Sequence, residues 1–101
     1  MEKLRRIKMS PADQRFLIHA IHDASRKGNA DIYDLANKIL NAPKMKVYIT
    51  SDELSITIHA VNDLRTEYIS SGKSPEGIDI VLLKLVNSKY RRVPRKYRIS
   101  T

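Results

Sequence analysis

Apolar residues recur at helical spacing in the first half of the chain, after a residue pattern typical of a helix start. Ser10 offers a capping hydroxyl, Pro11 needs no amide partner, and Asp13 suits the positive end of a helix dipole. We predict a first helix that Gly28 closes and a second helix over about residues 31–41. The expected inner positions of the second helix are Ile32, Leu35, Ala36, Ile39 and Leu40.

The second half of the chain repeats this arrangement. Thr50 and Glu53 have the spacing of a capping box, which predicts a third helix to about Ser71 with Gly72 behind it. The stretch 74–76, SPE, copies the earlier start and predicts a fourth helix to about Lys89. Its expected inner positions are Ile78, Val81, Leu82, Leu85 and Val86.

Three short segments alternate instead of following helical spacing: RRIKMS at 5–10, KVYITS at 46–51 and KYRIST at 96–101. Alternation predicts strands with one apolar and one polar face. If the three pair into one sheet, helices cover the apolar face and the solvent face is a basic plate with one tyrosine. The alternative is that the termini are solvated arms. The apolar set is Ile7, Met9, Val47, Ile49, Tyr97 and Ile99, and the opposite set is Arg6, Lys8, Lys46, Tyr48, Lys96 and Arg98.

The fold class that follows is α+β and mainly helical, in the order β-αα-β-αα-β, with four helices in two similar hairpins and a small three-stranded sheet. Residues 18–23 read IHAIHD and residues 58–63 read IHAVND, which favours an internal repeat. We predict a single domain, 1–101, with a pseudo-repeat of 10–44 and 50–89 between basic termini, 1–8 and 89–101. The alternative is that amphipathic helices converge on similar sequences.

The net charge of +8 is concentrated at the two ends of the chain. Residues 1–8 contain four basic residues and one acid, and residues 84–101 contain seven basic residues and no acid. The middle of the chain has slightly more acids than bases. Such asymmetry suggests an anionic partner, nucleic acid first among them, although a charged tail can also serve solubility alone.

The composition indicates in which part of the cell the protein is expected. The chain has no cysteine, which excludes disulfides and thiolate chemistry and fits an intracellular protein. Its most apolar stretch, IDIVLLKLV, contains Lys84 and is about half the length that a membrane-spanning helix requires. We therefore expect a soluble, cytoplasmic protein with no membrane partner.

The histidines and acids do not form a pattern typical of catalysis. His19 and His22 have helical spacing, but the corresponding place near His59 is held by Asn62, so we expect polar surface and no metal site. Most acids lie in first helical turns, where the helix dipole explains them. The three glycines form no phosphate-binding loop. We predict that the protein is not an enzyme and has no cofactor.

The leading hypothesis is a small basic protein that binds DNA or RNA through phosphate contacts from its termini and sheet face. Arginine matches phosphate oxygens, and tyrosine can stack on a base. The candidate nucleic-acid-binding residues are Arg5, Arg6, Lys8, Lys46, Tyr48, Lys89, Arg91, Arg92, Arg95, Lys96 and Arg98.

Three alternatives stay open. A protein-interaction or inhibitor module would use the same charges on an acidic protein partner. A winged-helix-like DNA-binding regulator would use DIYDLANKIL as a first helix and YITSDELS to lead into a recognition helix. Against it, Asp63 and Glu67 lie beside the outward positions of that helix and would repel phosphates; the outward positions are Ser55, His59, Asn62, Thr66 and Ser70. A homodimer could join the basic faces of two copies across a twofold axis.

Overall fold

The computed structural model describes residues 3–26 and 32–92 of the chain. The protein is mainly helical with a small antiparallel sheet, which confirms the predicted α+β class. A short 3₁₀ turn, Pro43–Met45, precedes the second strand. The elements are β1 (Lys3–Lys8), α1 (Pro11–Arg26), α2 (Ile32–Leu40), β2 (Lys46–Ile49), α3 (Ser51–Ser70), α4 (Glu76–Val86) and β3 (Lys89–Arg92).

The starts of α1 and α3 are fixed by the side chains that the sequence indicated. Thr50 Oγ1 accepts a hydrogen bond from the Glu53 amide at 3.1 Å, and Glu53 Oε1 accepts one from the Thr50 amide at 2.9 Å. Ser10 and Asp13 form the same reciprocal pair at 3.1 and 2.9 Å. At the start of both helices, side chains therefore accept hydrogen bonds from backbone amides that would otherwise be unpaired.

The end of α3 also follows the prediction. Gly72 has a φ of 76°, a left-handed conformation that glycine adopts without steric cost. Its amide donates to the carbonyl of Ile69 at 3.1 Å, and the next amide, of Lys73, donates to Tyr68 at 2.8 Å. This pair of bonds is a Schellman motif. Gly28, for which we expect the same role, lies outside the described residues.

The sheet has β1 in its centre, antiparallel to both neighbours. In β2, Val47 is opposite Ile7 and Lys46 is opposite Lys8. In β3, Tyr90 is opposite Arg5. The third strand expected at 96–101 lies outside the described residues, whereas β3 begins at Lys89, where we expect the fourth helix to end, and continues into the basic tail.

The fourth helix is shorter than predicted because the chain leaves it to join the sheet. The last helical residue is Val86, and Ser88 then bonds back to the carbonyl of Leu85 through both its amide and its hydroxyl, at 3.2 and 2.7 Å. From Lys89 onward the backbone pairs with β1 instead of continuing the helix. Strand pairing satisfies the same backbone groups that another helical turn would satisfy.

The hydrophobic core lies between the helices and one face of the sheet. The expected apolar strand positions Ile7, Val47 and Ile49 are buried. Leu40 and Val86 were expected inside, but they are 59% and 58% exposed, because each ends its helix one position past the core-facing row. The largest fully buried side chains are Leu17, Ile21, Ile32, Leu35, Ile39, Ile49, Ile78, Leu85, Val61, Val81 and Thr57.

Candidate nucleic-acid interface

The sheet face opposite the helices contains basic residues from two strands. Arg6 and Lys8 alternate along β1 with the buried Ile7, and Lys46 lies directly across from Lys8 in β2. Arg6 is paired with a β3 position, that of Lys89. Directly paired residues share a face of an antiparallel sheet. We call the described side chains Arg6, Lys8 and Lys46 the basic face.

The basic face brings like charges close together. Like charges at directly opposite positions of a sheet are destabilising, yet Lys8 is opposite Lys46. Within the described part of the chain, the salt bridges involve other residues and none joins an acid to Arg6, Lys8 or Lys46. The arrangement suits an anion that approaches from solvent.

Arg5 does not share this face. It is opposite Ile49 in β2, on the helix side of the sheet, and it is partly buried. One guanidinium nitrogen donates a hydrogen bond of 2.7 Å to the carbonyl of Ser88. Arg5 therefore connects β1 to the segment between α4 and β3, and its position is a structural one.

Tyr48 has the register of the basic face but is only 8% exposed. The expectation that it forms an open tyrosine on a solvent-facing plate is therefore corrected. A ring that stacks on a nucleobase must present its flat side to solvent. The described part of the basic face thus offers charge but no open aromatic surface.

The basic residues near the carboxyl end are adjacent to those near the amino end. Arg91 and Arg92 lie in β3, where their backbones pair with Leu4 and Lys3 of β1. Arg95, Lys96 and Arg98 lie outside the described residues. Two basic segments that are some 80 residues apart in sequence are therefore neighbours in the sheet.

The predicted surface histidines are exposed, and several acids form ion pairs between helices. His19 and His22 lie on α1, and His19 Nε2 is 3.3 Å from Asp23 Oδ2. Among the described residues, no group of three or more histidines and acids could hold a metal ion. Several acids pair with cations on neighbouring helices: Asp13 with Lys84, Glu53 with Lys38, and Asp79 with Arg65.

Asp13 is the acid with the most distinctive environment. Its side chain is buried, which by itself raises the pKa, but the hydrogen bond and charge of Lys84 and the bonds to Ser10 outweigh burial and lower the pKa below the ordinary aspartate value. The sequence indicated Asp13 as a first-turn acid. It gave no signal for Lys84, because that contact depends on how α1 and α4 pack.

Two grooves flank α1 on the helical side of the molecule. One, of about 340 Å³, lies beside Ile18, His22 and Leu40, and the other, of about 270 Å³, lies beside Phe16 and Tyr68. Arg15 and His19 form the ridge between them. The residues around these grooves come from α1, α2 and α3, so the grooves are separate from the basic face.

The connection between α2 and α3 bears on the winged-helix alternative. A helix-turn-helix joins its two helices by a turn of about three or four residues. Here α2 ends at Leu40 and α3 begins at Ser51, with the strand β2 between them. Asp63 and Glu67 of α3 are exposed, so this helix presents acidic side chains to solvent.

Comparison with known proteins gives no relative from which a function could be transferred: no protein family, curated protein or solved structure matches this chain. No helix in the described ranges has the length and apolarity needed to cross a lipid bilayer.

Proposed function

We propose that this chain is a small, non-enzymatic nucleic-acid-binding protein whose basic face and neighbouring termini contact phosphates. The observation that carries the proposal is the pairing of β1 with both β2 and β3. That pairing gathers basic residues from the beginning, middle and end of the chain into one sheet. Phosphate contacts of this kind give affinity without base specificity, so we propose binding to DNA or RNA with no assigned sequence preference.

The cross-strand pair of lysines supports this proposal. Lys8 and Lys46 repel each other in the free protein, and a phosphate between them would convert repulsion into two charge-assisted contacts. Arg6 lies two residues from Lys8 on the same strand face, at about 7 Å. An extended polyanion could therefore contact several cations at once.

The test is a fluorescence anisotropy titration of labelled single- and double-stranded DNA and RNA at several salt concentrations. We expect log affinity to fall linearly with log salt, with a slope that counts the phosphate contacts. Replacing Lys8 and Lys46 together by alanine should reduce that slope by nearly two units. Absence of binding to all four probes at low salt would contradict the proposal.

A matched control separates the basic face from overall charge. Replacing Arg15 and Lys73 by alanine removes the same net charge from positions on α1 and in the α3–α4 turn. We expect this control to bind nearly as well as the wild-type protein. If both double variants lose the same affinity, net charge and not the basic face attracts the nucleic acid.

A second candidate function is favoured by the burial of Tyr48. A face with cations but no open aromatic ring also suits an acidic protein surface, where base stacking plays no part. Purification of the tagged protein from a nuclease-treated lysate distinguishes the two candidates. An acidic protein partner is retained after nuclease treatment, whereas molecules held through a nucleic-acid bridge are lost.

We also propose that residues 10–44 and 50–89 are structural repeats. Two ion pairs support this, because each joins one half to the other in the same way. Lys38 of α2 donates to Glu53, which caps α3, at 2.9 Å, and Lys84 of α4 donates to Asp13, which caps α1. The lysines are 46 residues apart and the capping acids are 40 apart, the two offsets at which the sequences coincide.

A further inference from the structure

The turn between α2 and β2 has an uncommon backbone conformation. Lys44 and Met45 have φ angles of 55° and 59°, and they are the described non-glycine residues with a positive φ. A side chain makes this left-handed conformation costly, so glycine, asparagine and aspartate are the residues usually found there. Two successive residues of the turn are therefore strained.

Two backbone hydrogen bonds hold Lys44 in this conformation. The amide of Met45 donates to the carbonyl of Ala42 at 3.3 Å, and the amide of Lys46 donates to the carbonyl of Pro43. These bonds close two overlapping turns, and Lys44 is a central residue of both. A turn with proline at its second position and a positive φ at its third is of type II, which favours glycine at the third position. Lysine occupies that position here.

The two strained residues differ in what their side chains contribute to the fold. Met45 is partly buried and packs against the hydrophobic core, which offsets the strain. Lys44 is exposed, and in the part of the chain that the structure describes the ion pairs involve other residues. A strained residue whose side chain contributes little to the fold is typical of a functional position.

We propose that Lys44 contacts phosphate and that the turn holds it beside Lys8 and Lys46; we call these three residues the lysine corner. The turn is attached to the end of β1, because the Met9 amide donates to the carbonyl of Met45 at 2.8 Å. Met9 and Met45 are therefore a hydrogen-bonded pair of the ladder. The two kinds of pair alternate, so Lys8 and Lys46 form a pair of the other kind, whose side chains are closer together.

The lysine corner suits the phosphates of a nucleic-acid backbone. Lys44 is two residues from Lys46, so their Cα atoms are at most about 7 Å apart. Each ammonium group is carried on a flexible stem, so the three can converge on one phosphate or on neighbouring phosphates of a strand. This inference rests on the proposed function and adds a contact that strand alternation does not indicate, because Lys44 lies in a turn.

Three single variants separate the charge of Lys44 from its backbone strain. Lys44→Arg keeps both, Lys44→Ala keeps only the strain, and Lys44→Gly removes both. Binding to the four DNA and RNA probes should follow the charge. In anisotropy titrations at several salt concentrations, Lys44→Ala and Lys44→Gly should each lower the salt slope by nearly one unit, whereas Lys44→Arg should bind like the wild type.

Thermal stability should follow the backbone instead of the charge. Lys44→Gly should melt about 2–6 °C above the wild type, because relief of the strain exceeds the entropy that glycine adds to the unfolded chain. Lys44→Ala and Lys44→Arg should melt close to the wild type. The same melting curves show that each variant is folded. Lys44→Gly should thus be more stable than the wild type and bind nucleic acid more weakly.

The matched control is Lys73→Ala, which removes one charge from an exposed position in the turn between α3 and α4. This variant should keep the wild-type salt slope. An equal loss of slope in Lys73→Ala would mean that net charge, and not the lysine corner, attracts the probe. A Lys44→Gly variant that melts at or below the wild-type temperature would show that the turn has no strain to relieve and would overturn the argument for Lys44.

The binding results also separate this inference from the proposed function. If the wild type binds and the Lys8/Lys46 double variant loses affinity while Lys44→Ala binds normally, the inference about Lys44 is wrong and the proposed function stands. If the wild type binds none of the four probes at low salt, both are wrong.

Discussion

The carboxylate of Asp13 has two roles. It accepts a hydrogen bond from the Ser10 amide at the start of α1, and it accepts one from Lys84 of α4. We expect Asp13→Asn to keep the capping oxygen but lose the ion pair, at a cost of about 1–3 kcal/mol in the free energy of unfolding at neutral pH. Urea denaturation measures this. The control is Asp34→Asn, an exposed first-turn acid of α2, which should cost less than 1 kcal/mol.

The lowered pKa of Asp13 also predicts how stability depends on acid. Because the folded pKa lies below that of the unfolded chain, the carboxylate contributes stability above an unfolded pKa of about 3.9 and loses it as pH falls through the folded value. Wild-type stability should therefore fall below about pH 4, and Asp13→Asn should show a shallower fall. Parallel acid profiles for the two proteins would contradict this linkage.

At single residues, the sequence indicates local roles but not distant partners. Ser10, Thr50 and Glu53 were recognisable as caps, and Asp13 as a first-turn acid, because these roles depend on residues within one helical turn. The binding of Arg5 to Ser88 joins residues 83 positions apart, and nothing in the local pattern signals it. Burial of Tyr48 likewise depends on neighbours that alternation alone does not reveal.

Between elements, the ion pair of Lys84 with Asp13 should contribute more to stability than the ion pair of Lys38 with Glu53. The side chain of Asp13 is 7% exposed and that of Glu53 is 22% exposed. Removing Lys84 therefore leaves a more deeply buried charge unpaired than removing Lys38 does. We expect Lys84→Met to lower the free energy of unfolding more than Lys38→Met, as measured by chemical denaturation. Equal losses would show that burial does not set the cost of breaking these pairs.

Within the sheet, Lys46→Glu should move stability and binding in opposite directions. Glutamate opposite Lys8 replaces repulsion by attraction, which should add up to about 1 kcal/mol to the free energy of unfolding, while the same change weakens nucleic-acid binding. Thermal melting and anisotropy measure the two effects. Lys44→Glu changes net charge equally in the turn before β2 and should not stabilise the sheet. Loss of both stability and binding in Lys46→Glu would point to general damage.

The helices were more predictable than the sheet because helical signals are local. Spacing, caps and Gly72 defined α1 and α3 to within a residue or two. The segment Lys89–Arg92 was not predicted as a strand, because three of its four residues are basic and form no alternating apolar pattern, whereas KYRIST lies outside the described residues. Strand pairing is decided by long-range contacts, which a short pattern does not encode.

For the whole molecule, uneven charge was the most informative global property of the sequence. It suggested that the ends act together, and β1 and β3 do pair, although Arg5 lies on the opposite side of the sheet. The exposed apolar side chains of α4 were not predicted: Val86 was expected inside, and no role was assigned to Ile80 and Leu83. At the offset of 46 residues, Ile80 and Leu83 correspond to the polar Asp34 and Asn37, whereas Val86 corresponds to Leu40, which is also exposed.

The last prediction concerns the basic carboxyl end as a unit. Replacing Arg91, Arg92, Arg95 and Arg98 by alanine should abolish nucleic-acid binding at moderate salt, because each lost phosphate contact lowers the salt slope by nearly one unit. The melting temperature should change little, since β3 pairs with β1 through backbone groups that alanine retains. Separate Arg91/Arg92 and Arg95/Arg98 variants show whether β3 or the residues after it contribute more. A large drop in melting temperature would instead mean that these arginines hold the fold together and that their role in binding is secondary.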